Sequence, residues 1–183
     1  MEESHGYLCG NYTGDKDGIW AALAFAEMGA SLKSKGKNVL QQLQILYRKH
    51  GAHLDALETL TLKGVEGALR IDGIMEGLRQ TPPRRLGGRS VLRRTDLLRD
   101  EHIECCTGKV SKGPGLPASN VILLELEGGS RVIARPSGTE PKIKFYFNLC
   151  GDEMKELESA MLDLKEDFKM YRDRLQVGSV ASC

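Results

Sequence analysis

The C-terminal half of the chain alternates inward- and outward-facing residue types over three short stretches, and this pattern constrains the fold more than any other feature. Residues 120–127 place isoleucine or leucine at every second position. Gly128-Gly129 follows, a two-residue turn of the kind that hairpins favour, and residues 131–135 return antiparallel. Residues 142–149 alternate again and predict a third, half-buried strand. The pattern therefore predicts an antiparallel sheet.

A helix is predicted to cover this sheet. Asp152 is a candidate N-cap. An apolar stripe at helical spacing follows it: Met154, Leu157, Met161, Leu164 and Phe168. Strands that are grouped in sequence and then covered by a helix favour an α+β fold over a parallel α/β sheet.

The N-terminal half reads as mainly helical. Apolar residues at helical spacing predict one helix over residues 17–32, a second that Asn38 caps and that ends near Lys49, and a third that Pro82-Pro83 terminates. Gly36 is placed to stop the first helix. Between the second and third helices, residues 57–62 predict a short strand.

The segment 84–94 contains five arginines and Gly87-Gly88. A nucleic-acid-binding arm is expected to contain an aromatic residue on which a base can stack. No aromatic residue lies between Arg79 and Glu101. We therefore interpret the segment as a solvated linker at a domain edge, suited to hinge closure.

Overall composition excludes several classes of protein. With 26 Lys+Arg against 25 Asp+Glu, the net charge of +1 gives no general attraction for nucleic acid or an anionic membrane. No apolar run approaches the ~20 residues of a membrane span, and the polar start carries no secretory signal. The 5 cysteines lack metal-site spacing. Reduced thiols in a cytoplasmic protein are the expectation.

The turn after residue 135 concentrates groups that hold phosphate. Arg135 offers a guanidinium fork, Ser137 and Thr139 offer hydroxyls, and Gly138 offers an unobstructed backbone amide. From spacing alone, an ordinary hairpin turn beside a surface arginine explains the same residues.

Residues 135–147 resemble the phosphate-binding loop of the C-terminal domain of the α-D-phosphohexomutases, the family of phosphoglucomutase and phosphomannomutase. Residues 2–7 and 15–22 resemble the sugar-binding loop and following helix of that family's third domain. The motifs occur in the family's order. The resemblance covers most of the chain and implies a TATA-binding-protein-like C-terminal sheet, a fold label that carries no DNA-binding function.

The resemblance implies substrate-binding roles, residue by residue. Arg135, Ser137, Gly138 and Thr139 match the clamp on the non-reacting phosphate. Three further residues match groups that hold the sugar or its phosphate: Glu2, Ser4 and Lys16. A frayed terminus and a surface lysine explain these three equally without the family. His5 is given no role.

The residues after the clamp leave two alternatives open. Glu140 would repel a phosphate and is expected to point away or to pair with Lys142 or Lys144. These two lysines share one face of the strand. They either add positive potential beside the loop or form the solvent side of the sheet.

The family's phosphoserine and its Asp-Gly-Asp magnesium loop have no counterpart here, so no catalytic or metal-binding residue is assigned. The chain therefore resembles roughly the last two-fifths of a multidomain enzyme, with its N-terminal domains missing. The implied division is 1–83 as the end of domain 3, 84–175 as domain 4, and 176–183 as a tail.

The resemblance implies a parent enzyme that interconverts hexose 1-phosphate and hexose 6-phosphate, with Mg²⁺ and glucose 1,6-bisphosphate as cofactor and activator. The phosphosugar is the expected partner, with no nucleic acid and no membrane. Residues 2–4 look closer to the glucose-handling branch. A non-catalytic phosphate- or phosphosugar-binding module is the alternative, and this chain alone is expected to be inactive.

Overall fold

The structure, a computed structural model, describes residues 6–8, 10, 11 and 14–178, the last three without their side chains. It divides into two compact units, Met1–His50 (unit 1) and Gly51–Cys183 (unit 2). Unit 1 contains two helices, α1 (Gly18–Ser34) and α2 (Val39–His50). The remaining helices and all strands with assigned bounds belong to unit 2.

Side-chain caps start both helices of unit 1. The Asp17 carboxylate accepts hydrogen bonds from the Ile19 and Trp20 amides at 2.9 and 3.0 Å. Asn38 and Gln41 form a reciprocal capping box, with both hydrogen bonds at 2.9 Å. The predicted cap and boundaries of α2 are thus confirmed, and the predicted boundaries of α1 lie within two residues of the observed ones.

The apolar side of α1 differs from a core-facing helix. Ile19, Leu23 and Phe25 each expose more than half of their surface, and Leu32 is the buried residue of α1. The predicted helix forms, but its apolar stripe is not buried within the described residues. An exposed apolar surface of this kind is typical of an interaction surface.

Unit 2 is built on an antiparallel sheet covered by helices. Its strands are β1 (Ala52–Thr61), β2 (Arg85–Leu86), β3 (Arg89–Asp96), β4 (Glu101–Glu104), β5 (Val110–Lys112), β6 (Ile122–Leu126), β7 (Arg131–Pro136) and β8 (Lys142–Gly151). The order is β1-β8-β7-β6-β3-β4-β5, and β2 pairs with β3 alone. The fold is therefore α+β, as predicted, with β6, β7 and β8 forming the predicted meander.

Two helices, α3 (Gly64–Gln80) and α4 (Met154–Gly178), pack against the sheet and against each other. Leu157, Met161, Leu164 and Phe168 of α4 are buried over the apolar side of β8. Phe168 contacts Phe145 and Phe147 edge-on, with centroids 5.0 and 5.5 Å apart. Such aromatic contacts add to the burial of apolar area.

Strand β1 places the start of the compact C-terminal unit earlier than the division at residues 83 and 84. It pairs with β8 along its whole length, from Ala52 opposite Gly151 to Thr61 opposite Lys142. Unit 2 therefore begins at Gly51 and includes α3. The predicted strand over 57–62 was too short, and residues 176–178, assigned to a tail, continue α4.

The interpretation of residues 84–94 as a solvated linker was wrong. They form β2 and most of β3, which lies between β6 and β4 in the sheet. Leu86, Val91 and Arg94 are buried. Because this segment is an interior part of unit 2, it cannot serve as the predicted hinge.

Gly87 and Gly88 form the tight turn between β2 and β3, with φ of 53° and 72°. A Cβ at Gly87 would lie 2.9 Å from the Leu164 backbone on α4. The Gly87 amide donates to the Asp167 carboxylate at 2.8 Å. Both the backbone conformation and the close approach to α4 thus require glycine at position 87.

Two further features bear on the class of protein. Within the described ranges, no helix combines the length and the apolar character that crossing a bilayer requires. Cys105, Cys106 and Cys150 are free thiols.

Candidate functional site

The candidate phosphate site lies where β7 turns into β8. Hydrogen bonds hold the connecting segment, residues 137–141 (the β7–β8 loop), at both ends. The Ser137 amide donates to the Lys142 carbonyl at 2.8 Å, and the Leu62 amide donates to the Pro141 carbonyl at 2.9 Å. The loop is therefore fixed by its own strands and by the end of β1.

Arg135 is the exposed cation of this site. It sits on β7 directly opposite Lys144 of β8, so the two basic side chains share one face of the sheet. Among the described residues, the Arg135 guanidinium has no hydrogen-bond or ion-pair partner. A bidentate fork is thus available to an anion beside the loop.

The loop adds neutral donors. The Thr139 amide reaches the Ser137 hydroxyl at 3.5 Å, which is the long limit of a hydrogen bond. The Gly138 amide has no protein acceptor among the described residues, and open space surrounds the position where a Cβ would stand. The Gly138 amide and the Ser137 and Thr139 hydroxyls are therefore the candidate donors of this turn to an anion.

Glu140, the carboxylate expected to disfavour an anion, forms an ion pair with Lys142. This confirms one of the two expected arrangements. Lys142 therefore serves mainly to offset Glu140, whereas Lys144 stands beside Arg135. Both alternatives for the two lysines stay predictions.

Lys16 belongs to unit 1, where it precedes α1 and is exposed. Its aliphatic stem packs over the buried Gly6, since a Cβ there would lie 2.6 Å from Lys16 Cδ. The Asp17 amide donates to the Tyr7 carbonyl at 3.0 Å. Lys16 therefore lies next to a backbone contact between residues 7 and 17 and packs on Gly6.

The other residues assigned to sugar binding, Glu2 and Ser4, lie outside the described residues, as does His5. The structure therefore brings together Arg135, Ser137, Gly138 and Thr139 and describes Lys16 in the other unit.

Sequence reasoning missed the contribution of β1. Thr59 lies opposite Lys144 and Thr61 opposite Lys142, so two threonines border the same face of the sheet. No local signal identifies them, because β1 lies some eighty residues before β8 in sequence.

A magnesium site does not fit the described part of the chain. It contains no group of three or more histidine, cysteine, aspartate or glutamate residues that could hold a metal ion.

Residues 1–49 match the family model for the phosphoglucomutase/phosphomannomutase alpha/beta/alpha domain III. The matched segment ends within one residue of unit 1.

The curated relatives include phosphoglucomutases of Staphylococcus aureus. Those of strains MRSA252 and MSSA476 are each 36% identical, over 83% and 81% of this chain. The chain spans 27% of the length of each. This share is smaller than the two-fifths expected from the resemblance.

A solved structure shares the fold. It is the open form of the exocytosis-sensitive phosphoprotein pp63/parafusin, a phosphoglucomutase from Paramecium, with a TM-score of 0.58 and 20% identity. The similarity covers 92% of this chain and 28% of that one. This likeness concerns the fold alone. By the family-model match and the 36%-identical relatives, the chain belongs to the phosphoglucomutase/phosphomannomutase, or α-D-phosphohexomutase, family.

Proposed function

We propose that this chain is the substrate-gripping part of a phosphohexomutase that interconverts hexose 1-phosphate and hexose 6-phosphate through a phosphoserine and a bisphosphorylated intermediate. Unit 2 holds the phosphate that is not being transferred, through Arg135, Ser137, Gly138 and Thr139. Unit 1 contributes Lys16, together with Glu2 and Ser4, to the sugar.

The observation that carries the proposal is the state of Arg135. It is exposed, stands opposite Lys144, and has no side-chain partner among the described residues. The nearest carboxylate in sequence, Glu140, is already paired with Lys142. An exposed guanidinium beside under-used amide donors favours a ligand role over the role of a hairpin turn.

The clamp would act by positioning. Holding the remote phosphate fixes the sugar, so that its free oxygen is presented to the transferring group without further loss of orientational freedom. Binding energy from this non-reacting end can thereby lower the barrier at the other end. The chain's own residues bind and orient, and no bond is made or broken on them.

The remaining machinery is assigned to other parts of a longer protein. The matched relatives are almost four times the length of the matched region, which leaves room for a phosphoserine loop and for the ligands of Mg²⁺. Glucose 1,6-bisphosphate is the proposed activator, and the cytoplasm is the proposed location. The name phosphoglucomutase carried by the relatives supports glucose over mannose as the preferred sugar.

A phosphate titration tests the clamp. Backbone NMR of the chain at constant ionic strength should show shifts at the Gly138 and Thr139 amides, with a dissociation constant on the order of millimolar, because only part of the site is present. Arg135→Ala should abolish these shifts. Arg131→Ala, an exposed arginine on the same strand and face, is the matched control and should preserve them.

Unchanged Gly138 and Thr139 signals at high phosphate, in a folded chain, would contradict the clamp. A separate assay with magnesium and glucose 1,6-bisphosphate should show no mutase turnover by the chain alone. Measurable turnover there would contradict the division of labour but not the clamp.

A further inference from the structure

A thiol and an imidazole meet at the end of the sheet opposite the β7–β8 loop. Cys150 of β8 and His53 of β1 are direct partners in the antiparallel register. The Cys150 Sγ lies 3.2 Å from the His53 Nδ1, within hydrogen-bonding distance for sulfur. His53 is exposed and Cys150 is half-buried, so the pair stands at the surface.

Neighbouring groups hold this pair in place. The Cys150 amide donates to the Ser130 hydroxyl at 3.2 Å. Asp55, the next outward-facing residue of β1, accepts a hydrogen bond from Asn148 at 2.7 Å. Since β1 and β8 are paired on both sides of the contact, the backbones that carry the sulfur and the imidazole stay opposite each other as long as the sheet is intact.

Charged residues of both signs lie on the adjoining elements. They are Asp55 on β1, Arg131 on β7 and Glu127 in the turn before β7. A second contact competes with the imidazole for the thiol hydrogen, because the Gly129 carbonyl lies 3.6 Å from the sulfur and can accept a hydrogen bond from it. The imidazole is the closer acceptor, and only the imidazole can take the proton completely.

We propose that Cys150 and His53 form a reactive thiol–imidazole pair and that Cys150 is a site of S-thiolation by low-molecular-weight disulfides. Nothing in the phosphohexomutase function of this chain uses either residue. The His53 Nδ1 lies within reach to accept the thiol proton as the sulfur attacks, and the thiolate so formed is the nucleophile in thiol–disulfide exchange.

The exchange is balanced without any further reagent. The Cys150 sulfur attacks one sulfur of the small disulfide, the new protein–ligand S–S bond forms, and the old S–S bond breaks. The departing thiolate takes the proton held on His53. One small disulfide and one protein thiol thus become a mixed disulfide and one small thiol.

The chain carries its own reference thiols. Cys106 is exposed, and Cys105 is half-buried on the same segment. Burial raises the pKa of the Cys105 thiol, despite the opposing effect of Arg94. If accessibility alone set reactivity, Cys106 would react first. A paired imidazole predicts instead that Cys150 reacts first, Cys106 second and Cys105 last.

The pair is also far enough from the phosphate site to be tested separately. Cys150 lies eight residue steps beyond Lys142 on β8, which is about 26 Å along a strand. Modification of Cys150 should therefore leave the phosphate-induced shifts of Gly138 and Thr139 in place.

The test is competitive labelling of the full chain at neutral pH, with iodoacetamide in one sample and with glutathione disulfide in a separate sample, followed by mass spectrometry of the peptides. We expect Cys150 to react about tenfold faster than Cys106 with iodoacetamide, and to carry more of the mixed disulfide than Cys105 or Cys106. His53→Asn should lower the Cys150 rate to that of Cys106. His102→Asn, which removes a histidine four strands away in the same sheet, is the control and should leave the rate unchanged.

Two results would overturn the proposal. One is a Cys150 rate equal to or below that of Cys106 in the unaltered chain, a measurement that needs no variant. The other is a His53→Asn protein, folded by circular dichroism, in which Cys150 keeps its advantage. If that variant does not fold, His53→Gln gives the same comparison.

Discussion

The junction of α3 with β3 and the β7–β8 loop use arginine in opposite ways. At the junction, the Arg79 Nε donates to the Asp96 carboxylate at 2.9 Å, with both residues buried, and Arg79 also contacts Asn120. At the loop, Arg135 is exposed, and its side chain has no partner among the described residues. The first arginine is committed to the fold, and the second is available to a ligand.

The difference teaches that the partner, and not the residue type, decides the role of an arginine. A buried guanidinium must be paired, because its desolvation is otherwise uncompensated. An exposed guanidinium is hydrated, so it can remain without a protein partner at little cost in free energy until a ligand binds. Substitutions at the junction should therefore lower the free energy of unfolding without altering phosphate affinity. Substitutions in the loop should alter phosphate affinity without lowering the free energy of unfolding.

The largest expected effect comes from Arg79→Met, which leaves the fully buried Asp96 without its main partner. We expect a loss of about 3–5 kcal/mol in the free energy of unfolding, measured by denaturant titration. Arg84→Met, at an exposed arginine, is the control and should cost less than about 0.5 kcal/mol. A loss below 1 kcal/mol for Arg79→Met would break the comparison at the junction.

Gly87→Ala should produce the next largest effect. The new Cβ would meet the Leu164 backbone at 2.9 Å, in a residue with φ of 53°. We expect a loss of about 2–4 kcal/mol. Gly88→Ala shares the positive φ but meets open space, so it should cost only about 1 kcal/mol. Equal losses for the two variants would show that the approach of the turn to α4 is unimportant.

Gly138→Ala tests the loop with the opposite expectation. No atom lies within 4 Å of the added Cβ, and Gly138 does not have a positive φ. The free energy of unfolding should therefore stay within about 0.5 kcal/mol. Phosphate affinity by NMR should fall by about tenfold, because the methyl group obstructs an anion at the backbone amide.

The control for Gly138→Ala is Gly73→Ala on α3, where the added Cβ also meets open space. It should not weaken phosphate binding. Full phosphate affinity in Gly138→Ala would place the ligand away from the Gly138 amide.

The smallest effect is expected from Glu140→Gln. Removing this carboxylate frees the Lys142 charge and should tighten phosphate binding by about two- to threefold at low salt. The gain should shrink as ionic strength rises, because exposed charges are screened. Glu127→Gln, in the turn at the other end of β7, should leave affinity unchanged. Weaker binding in Glu140→Gln would mean that the carboxylate organises the loop.

Local features were predictable from the sequence. Asn38 caps α2 through contacts made within three residues, and Gly128-Gly129 takes the predicted turn, with φ of 76° at both positions. The donors of the β7–β8 loop are likewise neighbours in sequence. Each of these depends on interactions that a short window of residues contains.

Long-range pairing was not predictable in the same way. The alternation in β1 cannot name β8 as its partner, and a run of arginines cannot show that its strand lies inside a sheet. Arg94 was therefore assigned to a solvated linker, although it is buried and donates to Glu101 at 2.7 Å. Charge counts measure composition, whereas burial depends on which strands flank the segment.

The pairing of β1 with β8 also determines where this protein can be shortened. A polypeptide beginning at residue 84 would lack β1 and leave β8 as a ten-residue unprotected edge. Such an edge is a template for intermolecular pairing and aggregation. The helix α3 would be lost as well, uncovering apolar surface of α4. A polypeptide beginning at residue 51 would keep β1 paired with the edge of β8. Strand β1 therefore protects unit 2 against self-association.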